Sequence, residues 1–443
     1  MARRFTLEGA KVLAIEKSPD LLDGASKGNS AILHSGFDAP PGSIEHACIM
    51  DGHAEYLRIR ARLNLPLLKT GALVLAWSPD EAGQLDALLA RAHANGISHA
   101  KRLSAAQIRA REPHLSRAVN SGIDIPTEGV IDPWSAPYAY ALQAAENGAE
   151  LLRCCALLRG EFDGREWRLT TTRAELRATT VINCAGLHGD QVDVALIGRA
   201  AFRIRPRKGQ FLVYDKSASR LIHSILLPLP TEASKGVVVC RTVFGNVLVG
   251  PSSENQDSRQ DTSVQTEVLR ALRRQGERFV PALARHSITA TYAGIRPATE
   301  FKDYCIRAYA DRNYFSVGGI RSTGLSAALG IARYVFDQYT GFGHRHAAPA
   351  NCVWPSVNSL SEHQPRDWQA AGNGGIVCHC ELVTRREIDQ ALHGKMPVAS
   401  LGGLKRRTRA AMGRCQGFYC HARLSELTQG IFAEEMVARS RDA

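Results

Sequence analysis

No apolar run in this 443-residue chain approaches the roughly 20 residues that a membrane-spanning helix needs. Its N-terminus lacks the apolar core of a secretory signal, so the chain is expected in the cytoplasm. It has no internal repeat. No recognisable nucleic-acid motif accompanies its formal charge of +12, whose sharpest run is Lys405–Arg409, "KRRTR". Nucleic acid is therefore not an expected partner; an anionic small substrate or an acidic redox partner accounts for the charge more simply. The eleven cysteines are odd in number and show no regular disulfide spacing. In a reducing compartment, clustered cysteines bind metal or do redox work. What remains is an ordinary globular balance, 44% apolar and 22% charged, with length for two or three domains.

The chain also begins without something. Residues 10–17, "AKVLAIEK", read as a short buried strand ending in the acid Glu16. An acid there is what a dinucleotide-binding fold uses to hold a ribose. The Gly-rich phosphate turn should stand about 20 residues earlier, yet only fifteen residues precede Glu16. A long Gly-rich loop follows at 18–43, and long ordered loops are usually functional. A helix is predicted over about 45–63 and a strand over about 71–77. Pro133 opens a helix that Gly148 stops, and a strand follows at 149–153. Residues 167–186 read as strand pairs closing on the small-residue turn "NCAG". Residues 202–250 are strand-rich and suggest an antiparallel sheet inserted between the halves of an α/β domain, with a helix at 264–279 after it. "NYFSVGGIRSTGLSAALGIARYVFDQY" (313–339) is a strand, a glycine turn and a long helix. Residues 341–375 read as a linker to a small separate domain at 376–435.

That small domain carries the sharpest signal. Cys378 and Cys380 are one residue apart, Cys415 and Cys420 four apart. Two close pairs fit a four-cysteine metal site or an iron–sulfur cluster, although a one-residue gap is tight for structural zinc. Gly413 and Gly417 let the backbone bend around such a centre. "CHCE…LKRRTRAAMGRCQGFYC" closely resembles the [2Fe–2S] domain of bacterioferritin-associated ferredoxins, in the version fused to anaerobic glycerol-3-phosphate dehydrogenases. The resemblance implies that these four cysteines hold a [2Fe–2S] cluster. A one-electron centre in turn implies an electron donor in the same assembly, and a flavin is the obvious one.

The preceding residues, 1–340, resemble the FAD-dependent oxidoreductases that include glycerol-3-phosphate dehydrogenases, L-2-hydroxyglutarate dehydrogenases and D-amino-acid oxidases. The implied fold is α/β, α+β overall. A Rossmann-like FAD domain (about 1–70, 130–200 and 287–340) lacks its first strand, and an antiparallel-sheet substrate domain covers about 71–129 and 201–286. In the resemblance, Glu16 is the ribose ligand. "GASKGNSAILHSGF" matches the loop under the flavin, which puts Ser26, Asn29 and Ser30 near the pyrophosphate and ring edge and His34 near the isoalloxazine. "NCAG" supplies Ala185 and Gly186 against the phosphates. "GGIRSTGLSAALG" supplies Gly319, Ser322, Thr323, Gly324 and Leu325 along the ribityl and pyrimidine edge, where a helix N-terminus favours negative charge. The family's Gly-x-Arg-Pro arginine is Arg296 in "YAGIRPATE", an anchor for a carboxylate or phosphate. Lys208 in "RPRKGQF" is a second anchor. His34 is the expected base, since a neutral imidazole suits the pH.

The resemblance thus implies FAD and a [2Fe–2S] cluster as cofactors, and hydride transfer from a small anionic alcohol to FAD. Single electrons then go to the cluster and on to an acceptor protein or quinone-linked subunit, with membrane association through that partner. Glycerol 3-phosphate is the first candidate substrate, and L-2-hydroxyglutarate or another 2-hydroxy or amino acid the second. A third reading is a flavin-free electron-transfer subunit. It follows from the missing glycine turn, unless Met1 is an internal start preceded by about 25–35 further residues, as the nucleotide fold requires.

Overall fold

The computed structural model describes residues 1–230, 236–434 and 436. The nucleotide-type half is built from two separate parallel ladders. Leu13–Ile15 pairs in parallel with Glu150–Leu152. Val181–Asn183 pairs in parallel with Tyr314–Gly318, whose other edge takes Cys305–Tyr309 in antiparallel fashion. Among the described residues, Leu13–Ile15 and Val181–Asn183 each have a ladder partner on one edge only. The first strand is accordingly shorter and less buried than residues 10–17 suggest. It spans three residues, and Leu13 keeps 43% of its surface exposed. Ahead of it, the helix Ala2–Leu7 buries Phe5 against Phe336 and Tyr339.

Two helices organise this half. Ser43 accepts the His46 amide at the start of helix Ile44–Ile59, and the Asp303 carboxylate accepts the Ile44 and Glu45 amides. Both satisfy N–H groups that a helix start leaves without partners. This helix packs against Gly324–Gly341 around a core of Cys48, Ile49, Phe315, Ala327, Ile331 and Val335.

The second half is a large sheet. From one edge it runs Glu254–Asn255, Arg205–Tyr214, Val247–Gly250, Val238–Arg241, Ile225–Pro228, Ala72–Ala76, Ser121–Ile125 and Lys101–Ser104, with Ile288–Ala298 also paired to Arg205–Tyr214. The sheet is antiparallel except at one seam, where Ile225–Pro228 lies parallel to Ala72–Ala76. There the two chain segments meet, so no hairpin sets the direction. Helix Pro79–Ala94 starts at the Ser78 cap and buries Leu85, Leu88 and Ala92. Those positions lie on one helical stripe.

Residues 341–375 contain one short 3₁₀ turn, Asp367–Gln369, and otherwise cross the body as an ordered strap. Val357 and Leu360 are buried in the body's cores, and the Arg62 guanidinium stacks on Trp354. The terminal unit is the hairpin Ile376–Cys378 and Val383–Thr384 with helices Arg385–His393, Leu401–Thr408 and His421–Thr428 around a small core. Among the described residues, no helix is long and apolar enough to cross a membrane.

Candidate functional site

The two-residue strand Ile32–Leu33 pairs with Gly129–Ile131, Leu33 opposite Gly129. That register sets the next residue of each segment, His34 and Glu128, side by side. The Glu128 carboxylate lies 3.0 Å from His34 Nδ1. Its other oxygen accepts the Ser35 amide at 2.6 Å and the Ser35 hydroxyl at 2.7 Å. Glu128 is buried and its carboxylate can only accept, which orients the ring with Nδ1 toward Glu128 and Nε2 away from it. The His34 amide donates to Ser326 Oγ at 2.7 Å, and Ser326 sits in the first turn of Gly324–Gly341. The imidazole therefore stands at a helix N-terminus, oriented by a buried carboxylate. Nearby, His53 lies 3.3 Å from the Thr127 carbonyl, and burial lowers its pKa against the opposing pull of that carbonyl and of Glu128.

Arg296 lies on Ile288–Ala298 opposite Arg207. Its Nη2 donates to the Ser252 carbonyl at 2.7 Å, and among the described residues it has no ion-pair partner. Burial lowers its pKa to about 10, Arg207 adding to that and Glu254 opposing it. Strand alternation puts Arg296, Gly294 and Tyr292 on one face. That face packs on the 24–30 loop: Tyr292 donates to the Asn29 carbonyl at 2.7 Å, and a Cβ on Gly28 would come within 2.7 Å of Gly294 Cα. Arg296 and the loop that leads to His34 are thus held together through glycine-on-glycine contact.

Lys208 is placed differently. It precedes Gly209 and points to the opposite face of its strand, where its ammonium meets Asp261 at 2.8 Å and the Ser263 carbonyl at 3.1 Å. The structure gives its ammonium this ion pair.

The residues expected around a nucleotide cofactor divide by which atoms remain available. Glu16 ends its strand half-exposed, accepting the Ser18 amide at 2.8 Å. Ser26 is exposed, Ser30 half-buried, and Asn29 braces its own loop through Ser26 O and Ala31 N. Ala185 donates its amide to Asn183, and Gly186 (φ +55°) opens on free space. Gly319 takes φ +70° in the turn before Gly324–Gly341, and Ser322 is exposed. Two side chains of this turn face inward. The Thr323 hydroxyl is committed to Glu45 (2.6 Å) and Tyr304 (2.6 Å). The Leu325 side chain packs against the core that contains Leu33, Tyr56 and Leu329. With Gly324 they present backbone N–H groups, which a helix's first turn leaves without intrahelical partners. These free amides, the glycine contact and the oriented imidazole fit the ring end of a flavin.

The four expected cysteine ligands converge as two pairs. Cys380 faces Cys415, and Cys378 faces Cys420. Burial raises the Cys380 pKa and pushes Cys420 up to about 12, each partner thiol adding to it. The Tyr419, Gly417 and Phe418 amides aim at Cys415 and hold its pKa low, with the Cys380 thiol assisting. Gln416 (φ +50°) and Gly417 (φ +97°) form the turn that aims those amides. Among the described residues, no three His, Cys, Asp or Glu side chains gather on one point. Paired thiols inside an amide nest fit an iron–sulfur cluster, to which the four cysteines would supply the thiolate ligands.

The basic run proves to be an interface. Arg406 reaches the Leu21 carbonyl at 3.3 Å and Asp23 at 3.5 Å. Arg407 stacks on Tyr138, and burial lowers its pKa to about 10. Arg409 pairs with buried Glu381 at 2.8 Å and lies over Phe244. Phe244 stacks on Trp134, whose Nε1 donates to the Lys27 carbonyl in the 24–30 loop. Packed side chains thus lead from Glu381, next to Cys380, to the loop below His34.

A family model described as "FAD dependent oxidoreductase" matches residues 1–338, and one described as "BFD-like [2Fe-2S] binding domain" matches residues 376–429. A "Glycerol 3-phosphate dehydrogenase" of Caloramator mitchellensis is 30% identical over 450 residues, covering 100% of this chain and 94% of that protein. One subunit of the anaerobic glycerol-3-phosphate dehydrogenase of Escherichia coli K12 is 26% identical, covering 97% of this chain and 85% of the relative. Among solved structures, a dithionite-reduced, FAD-bound L-alpha-glycerophosphate oxidase from Mycoplasma pneumoniae superposes with a TM-score of 0.74 at 24% identity, covering 80% of this chain and 94% of that one.

Proposed function

Since the chain belongs to the FAD-dependent oxidoreductase family, as a glycerol-3-phosphate-dehydrogenase-like member with a BFD-like [2Fe-2S] domain, we propose that it oxidises glycerol 3-phosphate and delivers the electrons singly through its cluster to a partner. The observation that carries this reading is the His34–Glu128 pair at the N-terminus of Gly324–Gly341. FAD, when bound, supplies the hydride acceptor; Glu16, the 26–30 loop and the 319–325 backbone would hold it, as the four cysteines would hold a [2Fe–2S] cluster. Arg296 binds the substrate's anionic group, a use for a half-buried guanidinium that has no carboxylate partner among the described residues. His34 Nε2 accepts the hydroxyl proton as the C–H bond breaks. Glu128 keeps Nδ1 protonated and stabilises the imidazolium that results, without taking the proton itself. The Escherichia coli relative is itself one subunit of a dehydrogenase, and that similarity supports a multi-subunit assembly, with the acceptor on a separate chain and any membrane attachment through it.

A guanidinium suits carboxylate as well as phosphate, which supports L-2-hydroxyglutarate as a second substrate class. Anaerobic mixing with each compound tests the choice. Bleaching of the flavin bands by glycerol 3-phosphate but not by L-2-hydroxyglutarate is expected, and the reverse overturns the assignment. Purified protein with cluster absorbance and no flavin bands would favour the reading as a flavin-free electron carrier.

A further inference from the structure

Phe418 and Tyr419 are 81% and 76% exposed; no other large apolar side chain among the described residues exceeds 54%. They are adjacent, with ring centroids 5.1 Å apart in an edge-to-face pair. Singly exposed apolar residues need no explanation, but a contiguous aromatic pair does. Its location is specific, since both rings stand on the six-residue segment bounded by Cys415 and Cys420. That segment is not a loose loop tip. The Gln416 amide donates to Gly413 O at 2.8 Å, Phe418 to Cys415 O at 3.0 Å, and Cys420 to Gly417 O at 3.0 Å. The rings are therefore held outward by the same turns that aim amides at Cys415. Rigid, pre-ordered aromatics are the side chains that lose least entropy on docking and recur as interface anchors.

The surrounding charge has one sign along the chain. From residue 390 to 425 there are seven Lys and Arg and no Asp or Glu. Arg406, Arg407 and Arg409 are turned into the body, but Arg414 and Arg423, four residues before Phe418 and four after Tyr419, are exposed. Each gives one nitrogen to a carboxylate, Arg414 to Asp215 at 3.1 Å and Arg423 to Glu426 at 2.6 Å. Those single-nitrogen contacts leave the rest of each guanidinium fork to face outward.

We propose that Phe418 and Tyr419, rimmed by Arg414 and Arg423, are the surface on which an electron-accepting protein with an acid-rimmed apolar face docks. This rests on the proposed function, and it specifies where the partner binds and with what chemistry. Each event moves one electron from the reduced [2Fe–2S] cluster to the acceptor; no bond forms or breaks and no proton moves. Rim charge sets encounter rate and partner choice, and the rings set residence.

The test uses two haem proteins as one-electron probes, acidic cytochrome b5 and basic cytochrome c, with the full-length holoprotein and its Phe418→Ser/Tyr419→Ser variant. Both side chains lie outside the core, so iron content and visible spectrum should match wild type. Cluster reduction by dithionite tests the surface without the flavin. The expected result is that wild type binds and reduces cytochrome b5 in preference to cytochrome c at low ionic strength. The variant should lose at least tenfold in both binding and second-order rate, while reduction of its cluster by dithionite is unchanged. Equal reduction of cytochrome b5 by the variant overturns the proposal, as does a preference for cytochrome c. A wild-type homodimer in sedimentation that the double substitution abolishes also overturns it, since a second copy would then occupy the surface. If substrate never reduces the cluster but dithionite-loaded protein behaves as expected, the proposed function fails and the docking surface stands.

Discussion

Replacing Glu128 by Gln should disable the His34 base while leaving the site's shape intact. One carboxylate oxygen accepts both Ser35 donors, at 2.6 and 2.7 Å, and the other faces His34 Nδ1 at 3.0 Å. A Gln side chain keeps the two Ser35 bonds with its carbonyl. Its NH₂ then faces Nδ1, which must become the acceptor. The ring proton moves to Nε2, the nitrogen that has to take the substrate's proton. A positioned general base contributes about 10²–10⁴-fold, or roughly 3–5 kcal/mol of barrier. The rate of flavin reduction in anaerobic stopped flow should therefore fall about 100- to 10,000-fold. Binding of a non-reacting anionic substrate analogue should change little, because Arg296 is untouched. Thermal unfolding separates this from collapse: losing one charge-assisted hydrogen bond costs about 1.5–3 kcal/mol, which a body of this size tolerates. The decisive comparison is Glu128→Gln with His34→Gln and the double variant. Residues acting as one unit give a double variant no worse than His34→Gln alone. Wild-type flavin reduction by Glu128→Gln, or multiplied losses in the double variant, refutes the reasoning.

Arg296→Met should raise KM for the anionic substrate about 10- to 100-fold, the worth of one charge-assisted pair, while Lys208→Met, whose ammonium is spent on Asp261, should leave KM alone; initial-rate kinetics decides both. Because the Arg296 pKa is lowered to about 10, substrate affinity should be full below that pH and decline as pH rises through it, which a titration of kcat/KM between pH 8 and about 11 reads. Arg409→Leu leaves the buried Glu381 carboxylate with Lys216 at 3.3 Å as its remaining cation. Breaking a buried pair costs about 3–5 kcal/mol, so iron release on heating should begin well below the wild-type temperature.

What the sequence discloses depends on whether the signal is local. The cysteine quartet is legible because its spacing and flanking glycines lie within a short stretch, and the helix stopped by Gly148 is legible because caps are local chemistry. His34 stands out as a histidine in a long glycine-flanked loop. Glu128 does not. It lies 94 residues away in "PTEGV", and only the Leu33–Gly129 register brings it to the imidazole. Lys208 is the converse case: "RPRKGQF" reads as a strand, but only the pairing with Ile288–Ala298 shows that alternation turns its ammonium to the face away from Arg296. Thr323 and Leu325 carry a helix-start pattern correctly, yet their side chains turn inward, so what they offer a ligand is backbone. The basic run is the clearest case of a pattern with a non-local meaning. Composition shows positive charge, whereas the fold shows three guanidiniums stacked and paired inside an interface.

That interface decides how the terminal domain relates to the body. A flexible linker of some 35 residues, rich in Gly, Ser and Pro, would let its cargo sweep a wide volume. Residues 341–375 do not behave so, because Val357 and Leu360 are buried, Ser361 bonds the Val243 carbonyl, and Trp354 lies under Arg62. The domain is pinned again on its own side. The Asp20 carboxylate accepts the Ala399 amide and the Ser400 hydroxyl, while Arg153 bridges Asp20 and the Pro397 carbonyl. Packed side chains, Glu381 to Arg409 to Phe244 to Trp134, then span the distance between the cluster ligands and the 24–30 loop. If electrons pass between the two halves as proposed, that step is intramolecular and its rate should be independent of protein concentration, which stopped flow at two protein concentrations checks. Only the last step, from the exposed Phe418–Tyr419 edge outward, should respond to partner concentration and to salt.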